Sequence, residues 1–543
     1  MANKFWVGGS GVWSSTNTVN WSLTSGGAGG AAIPTASDVV IFDANSNIPG
    51  TGGSYTVTKT VTGSILGLQI ANPSAGVVTF AGTAVMTILG TGLTISTSTV
   101  NMTYTGTMTF TATSTINCNG CALANPVTLN GAGANFTFST NVNINNQLTI
   151  TIGTTTLSAS VTLGVYALTA TGATVRTIAF GTSAVISVPS SLSFPTPWNT
   201  GSGVQFSGVP TVWFYGGNGA TITQAGTGGT VWPTFVLKNG VGSLTTFSSG
   251  SYTGSIDWSI NNSGALQLGG VTVRGNLTLN SGTTVQTSAS TLTFLGATTN
   301  ATQTITSAGV ALNLPVSFNT SAGTLQLLDN LTINAALINP SSGTINVNSK
   351  VLTFTNFLVS SSGLLPKFAL GTNGSIVLTG TFWDNSTATV SFTGTGTITM
   401  SSASAKTLTG NGSTFPTLIN SGAGALSIVD ANTFADIQST TSANTITLPS
   451  GLTTTVTNFT LSGASGRIVT LNASTAGSRA NLSKTSGTVN VSFLTIQDSA
   501  AGGGATWNAL TTNGNTDNGN NTGWNFGSPS PITNGGFLPF FFR

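Results

Sequence analysis

Residues 146–163 read "NQLTITIGTTTLSASVTL". Leu, Ile and Val alternate with Thr and Ser, and one Gly interrupts the run. Alternation at period two puts apolar side chains on one face of an extended segment and hydroxyls on the other, the pattern of a half-buried β-strand. The same pattern recurs in "GLTISTSTV" (92–100), "GNLTLNSG" (275–282), "DNLTINAAL" (329–337), "KVLTFTNFL" (350–358) and "NFTLSGASG" (458–466). No long stripe of apolar residues at helical spacing accompanies it, and the Glu, Lys and Arg that favour helices are scarce. The class predicted is all-β.

Composition narrows the reading. Charged residues are 4% of the 543, against about 25% in an ordinary soluble domain. Hydrophobic residues are 39%, so the chain has material for a core, and Thr, Ser and Asn must form its surface. The acids are nine Asp with no Glu, and there is no His. Twelve Lys and Arg give a net charge of +3 without a cluster, which argues against nucleic acid as a partner. The start, "MANKFWVGGSGVW", lacks the apolar stretch of a signal peptide, and no run approaches the ~20 apolar residues of a membrane-spanning helix. The expectation is a protein kept in the cytoplasm where it is made, or released without a classical signal, with no membrane insertion.

Repeats organise the strands. "VGSLTTF", "SGALQLGGVTV", "AGTLQLLDNLTI" and "AGALSIVDANTFADI" place Gly242, Gly264, Gly323 and Gly424 at steps of 22, 59 and 101. Pro195, Pro233, Pro315 and Pro416 follow at steps of 38, 82 and 101. Both series approximate multiples of about 20, the size of one coil of a parallel β-helix. A lone coil cannot bury its apolar positions, whereas stacked coils cover one another. About 450 residues would make about 22 coils, and at ~4.8 Å per coil a rod on the order of 100 Å long. An array of β-sandwiches is the rival, and it would show linkers that are not visible before residue 527.

The two ends differ from the middle. Trp6, Trp13, Trp21, Trp507 and Trp524 fall near the termini, the last two within "IQDSAAGGGATWNALTTNGNTDNGNNTGWNF" (496–526). A solenoid end leaves an open apolar core and unpaired backbone, so end coils must be capped. These five indoles and Phe526 are the expected caps. The predicted organisation is a cap or attachment module over 1–45, β-helix over 46–490, a Trp/Asn/Gly-rich cap over 491–527, and a linker with an apolar tip over 528–543. In that tip Phe537, Leu538, Phe540, Phe541 and Phe542 are the expected contacts with another subunit or a neighbouring protein.

The end segments also carry a resemblance. "WVGGSGVWSS…NWS…DVVIFDANS" and "LTIQDSAAGGGATWNA…DNGNNTGWNF" resemble Gly/Ser/Thr-rich β-helical appendage proteins of tailed bacteriophages, with similar motifs in bacterial adhesin-like proteins. The resemblance runs from Phe5 to Ser46 at the front and from Ile446 to Phe526 at the back. It implies a single-chain right-handed parallel β-helix and a place in a virion as a tail fibre, spike, head fibre or decoration protein. Other virion proteins, a host-surface glycan and a homotrimeric state are the implied partners. It implies no catalytic residue. An extracellular bacterial adhesin and a polysaccharide-cleaving tailspike are the alternatives.

Candidate chemistry is sparse. Glycoside hydrolysis uses two carboxylates some 5–9 Å apart. Asp430 and Asp436 in "IVDANTFADI" (428–437) are near neighbours, and the repeat gives Asp329 an equivalent place, which points to turn work rather than catalysis. Asp257-Trp258 and Trp383-Asp384 join an acid to an aromatic that could stack on a sugar, or decorate a rim. Cys118 and Cys121 in "NCNGC" lack the further ligands of a zinc site and are expected as two thiols in a turn. No metal or cofactor is expected.

Overall fold

The computed structural model of the chain describes every residue except 48–52, 72–75, 97–98, 190–193, 216–219, 226–230, 239–243, 260–263, 297–301, 320–321, 339, 441–443 and 528–543. The chain divides into two compact units, Met1–Ser317 and Phe318–Arg543. Both consist of short strands paired in parallel, and together they hold about 19 turns of parallel β-solenoid. Among the described residues the only helical element is the single 3-10 turn Thr511–Asn513.

In the first unit the alternating stretch lies in Val142–Leu157 and Thr162–Ala170. Leu148 pairs with Val127 on the preceding coil and with Leu168 on the next. Leu148 and Ile150 point into the core while Thr149 stays half-buried. Gly153 then turns the corner. Its φ is 109°, and a Cβ there would lie 2.6 Å from the Gly131 carbonyl oxygen. Beyond it Thr155 and Leu157 face inward, so the alternation slips by one residue, and the ladder to Val127–Phe138 shifts register at Asn130. One run of Thr and aliphatics thereby serves two sides of a coil.

The second unit carries three strands per coil. Thr324–Leu327, Leu331–Ile333 and Leu337–Ile338 stack on Thr344–Asn346, Val351–Phe354 and Phe357–Leu358. Inward positions repeat their chemistry from coil to coil, as in the file Leu352, Ile376, Ile398, Leu418, Ile437. Phe368, Phe392, Phe415 and Phe434 form a ring ladder with successive centroids 5.5, 5.5 and 5.2 Å apart. That spacing is close to the ~4.8 Å between paired strands, so each ring rests on its neighbour.

Three expectations change. The coil has no constant length: Leu418 pairs with Ile437, whereas the step from Ile178 to its partner Phe206 is about half as long again. Turns absorb the difference, which is why fewer coils form than a fixed period predicts. The Gly series does not mark one position either. Gly323 precedes Thr324–Leu327, whose ladder runs through Lys367–Ala369 to Ser391–Thr393, while Gly424 precedes Leu426–Val429, which stacks on Lys406–Thr409 and Phe382–Asp384. Similar peptides thus occupy different sides of the coil, and Asp329 and Asp430 are not equivalent. Gly242 lies outside the described residues. Finally, large indoles are not reserved for the ends, since Trp198, Trp258 and Trp383 are fully buried in interior coils.

Candidate functional site

The terminal aromatics come together in two groups. At the start, Ala2–Trp6 pairs in parallel with Asp38–Phe42 and antiparallel with Trp21–Ser22, which sets Trp6 beside Trp21. Their ring centroids are 5.0 Å apart, and Trp13 meets Trp21 at 5.2 Å. Phe42, Phe80 and Tyr104 continue the cluster into the following coils. Trp6 Nε1 donates to the Gly9 carbonyl oxygen at 2.7 Å, whereas Trp21 Nε1 is buried without an acceptor. Near the end of the described chain, Trp507, Trp524 and Phe459 form the second group. Phe526 is half-buried there, and its carbonyl accepts from the Thr511 amide. Phe537, Leu538, Phe540, Phe541 and Phe542 lie outside the described residues.

Lys59 sits under the first group. It is 1% exposed, its Nζ lies 5.1 Å from the Trp13 ring, and it donates to the carbonyls of Val61 and Val85. Burial pushes its ammonium down to about 8. With Trp13, Pro34 and Thr35 it lines a cavity of about 240 Å³.

The candidate carboxylates serve the fold. Asp436 is buried, and its two oxygens accept from the amides of Ile437 and Thr460, from Gln438 Nε2 and from Thr460 Oγ1. Asp430 closes a strand at φ 71° and accepts from the Asn411 amide. Asp257 and Asp384 each accept from the amide two residues on, Ser259 and Ser386. Their partners Trp258 and Trp383 point inward, so neither indole presents a face to a sugar, because alternation sends the acid out and the aromatic in. Cys118 and Cys121 are joined in a disulfide across their turn instead of standing as thiols. Among the described residues no three Cys or Asp side chains converge as a metal ion would need.

The surface feature that sequence reasoning missed is an outward aromatic. Nine of the ten tryptophans are buried and Trp213 is not. It lies in Thr211–Tyr215, "TVWFY", where Val212 and Phe214 face the core and Trp213 and Tyr215 face outward. Lys238, from the next coil, places its Nζ 3.5 Å from the Trp213 ring centroid. The register continues the outward file from Trp213 through Val236 to Asp257 and Thr278 in one direction, and through Ser187 to Gly164 in the other. On that second side the residue next to the indole is the small Ser187. A groove of about 450 Å³, lined by Thr182, Ser183, Gly208, Val209 and Thr211, opens at the adjoining corner. Three consecutive aromatics in one strand are the signal that could have found the site, since period two must put at least one of them outside.

An aromatic face, an ammonium, a carboxylate and a bank of hydroxyls can hold a polyhydroxylated ligand by ring stacking and hydrogen bonds. No family model, curated protein or solved structure matches the chain, so its function rests on its own residues.

Proposed function

We propose that the chain is a structural appendage of a tailed-phage virion, of the fibre, spike, head-fibre or decoration kind, that contacts a glycan on the host surface. The parallel solenoid carries the reading: a β-helix suits a fibre, spike or adhesin, because each coil repeats the same outward strand positions on the next. Outward files of Thr, Ser and Asn give it a nearly uncharged surface, and the Trp213 face offers a place for a sugar ring. Homotrimer formation and docking through residues 537–542 extend the same proposal. Quantitative mass spectrometry of purified virions tests it: a few copies per particle would fit a tail spike and hundreds a capsid decoration. Absence from washed particles that retain their other structural proteins would overturn it.

The second reading is an extracellular adhesin, and the Cys118–Cys121 disulfide suits it as it suits a virion, since disulfides persist outside the reducing cytoplasm. Surface labelling of intact bacteria expressing the native gene separates the two.

A further inference from the structure

We infer that Arg274, packed beside the rings of Trp232 and Tyr252, is a binding site for the carboxylate of an acidic saccharide. The inference deepens the glycan-binding part of the proposal above and rests on it. The three residues come from three successive coils. The rings of Trp232 and Tyr252 stack with centroids 5.4 Å apart and planes 26° apart. The Arg274 guanidinium carbon lies 5.1 Å from the Trp232 ring and 5.8 Å from that of Tyr252.

The hydrogen-bonding capacity of this stack is unspent. Arg274 Nε and Trp232 Nε1 are both buried without an acceptor. No described residue accepts from the Arg274 Nη nitrogens, which are not among the buried atoms. The neighbouring carboxylate in sequence, Asp257, accepts from the Ser259 amide. A structural arginine normally ends on carbonyls, as Arg176 does with Nε on the Thr174 oxygen and Nη1 on the Ile150 oxygen. Arg274 instead lies beside two rings with no described acceptor at its Nη fork, which leaves that fork available for bidentate capture of a carboxylate. Tyr252 is half-buried and can take the apolar face of a sugar ring beside that fork. Tyr252 pairs with Thr272, and Thr272 with Thr293, so the outward file continues in hydroxyls at the ~4.8 Å coil spacing. Ring, cation and hydroxyls in one file match a uronate or sialate within a chain of hydroxylated residues better than a small anion alone.

The test is calorimetric titration of the full-length protein with glucuronate-, galacturonate- and sialate-containing oligosaccharides, their carboxyl-reduced counterparts, and inorganic phosphate. Expected is binding of at least one acidic oligosaccharide that falls at least tenfold on carboxyl reduction and at least tenfold in Arg274→Ala. Arg274→Lys, which keeps the charge and loses the fork, should recover only part of it. Far-ultraviolet circular dichroism and an unchanged melting profile show that the variants are folded. Acidic and reduced forms binding alike, with Arg274→Ala unchanged, would overturn the acid site and leave glycan recognition standing. No saccharide binding at all would overturn both. Equal binding of millimolar phosphate, displacing the oligosaccharide, would mark a nonspecific anion site and overturn the inference.

Discussion

Trp507 and Trp524 are register partners on consecutive coils, and their indoles meet edge to face with centroids 5.1 Å apart at 66°. Both ring N–H groups are satisfied, Trp507 by the Gly502 carbonyl and Trp524 by Ser499 Oγ. Replacing Trp524 by Ala removes the outer member of this pair. A loss of ~3 kcal/mol or more is expected, in the range for deleting a buried indole. In a solenoid each coil leans mainly on its neighbours, so the damage should begin locally. Hydrogen exchange should show Thr506–Asn508 deprotected before the ladder from Thr445–Leu448 to Val469–Ala473. Uniform deprotection of that whole region would contradict a local capping role.

Buried cations make stability depend on pH in a defined direction. Lys59 titrates at about 8 in the fold and near 10.5 when unfolded. The unfolded chain therefore holds the extra proton between those values, and stability rises with pH across the window, by up to ~3 kcal/mol. Tyr55 acts in the opposite sense above it. Burial raises its hydroxyl to about 12, so the unfolded chain loses that proton first, and stability falls from about pH 10 to 12. Thermal melts from pH 7 to 12 should peak near pH 10. Lys59→Met should flatten the rising limb, and a profile that falls steadily from pH 7 would refute this assignment.

Two glycines separated by one coil give a sharper test of backbone geometry. Gly523 has φ 75°, and a Cβ on it would lie 1.8 Å from the Ala501 carbonyl oxygen. Gly502 has no atom within 4 Å of the same point and no positive φ. Gly523→Ala should cost over ~2 kcal/mol, because both the clash and the left-handed conformation oppose it. Gly502→Ala should be neutral or stabilise by about 0.4–1 kcal/mol through the unfolded state. Urea unfolding of the two variants decides, and equal effects would be the wrong result.

Trp213 offers a loss of binding without a loss of fold. Its side chain faces outward, so Trp213→Ala should change stability by less than ~1 kcal/mol. Adsorption to host cells should fall at least tenfold if the indole stacks on a sugar. Lys238→Gln, which removes the cation over the ring, should have a smaller effect. Undiminished adsorption of Trp213→Ala would remove this face from host recognition.

The strands were legible because one face of each is dry. In Ser375–Leu378 and Thr397–Met400 the inward Ile and Leu or Met alternate with outward Ser, Val and Thr, and the sequence pattern is the burial pattern. The approximate size of a coil was legible from the spacing of similar peptides, but the register was not. Gly323 and Gly424 look alike because a Gly-led turn before an aliphatic strand is needed on more than one side of a coil. The site was less legible still. Nothing local in Trp232, Tyr252 and Arg274 ties them together, since their proximity comes from coil lengths set by turns elsewhere. Trp258 and Trp383 misled for the converse reason: an aromatic beside an acid looks like a sugar platform until alternation assigns its direction.

Variation in coil length has an evolutionary side. The coil that carries Phe357 to its partner Trp383 is longer than the one that carries Leu337 to Phe357, yet both contacts are kept. Extra residues accumulate at the corners and leave the paired segments undisturbed. Such a molecule can acquire or shed corner peptides one mutation at a time, diversifying what it displays without renegotiating its interior.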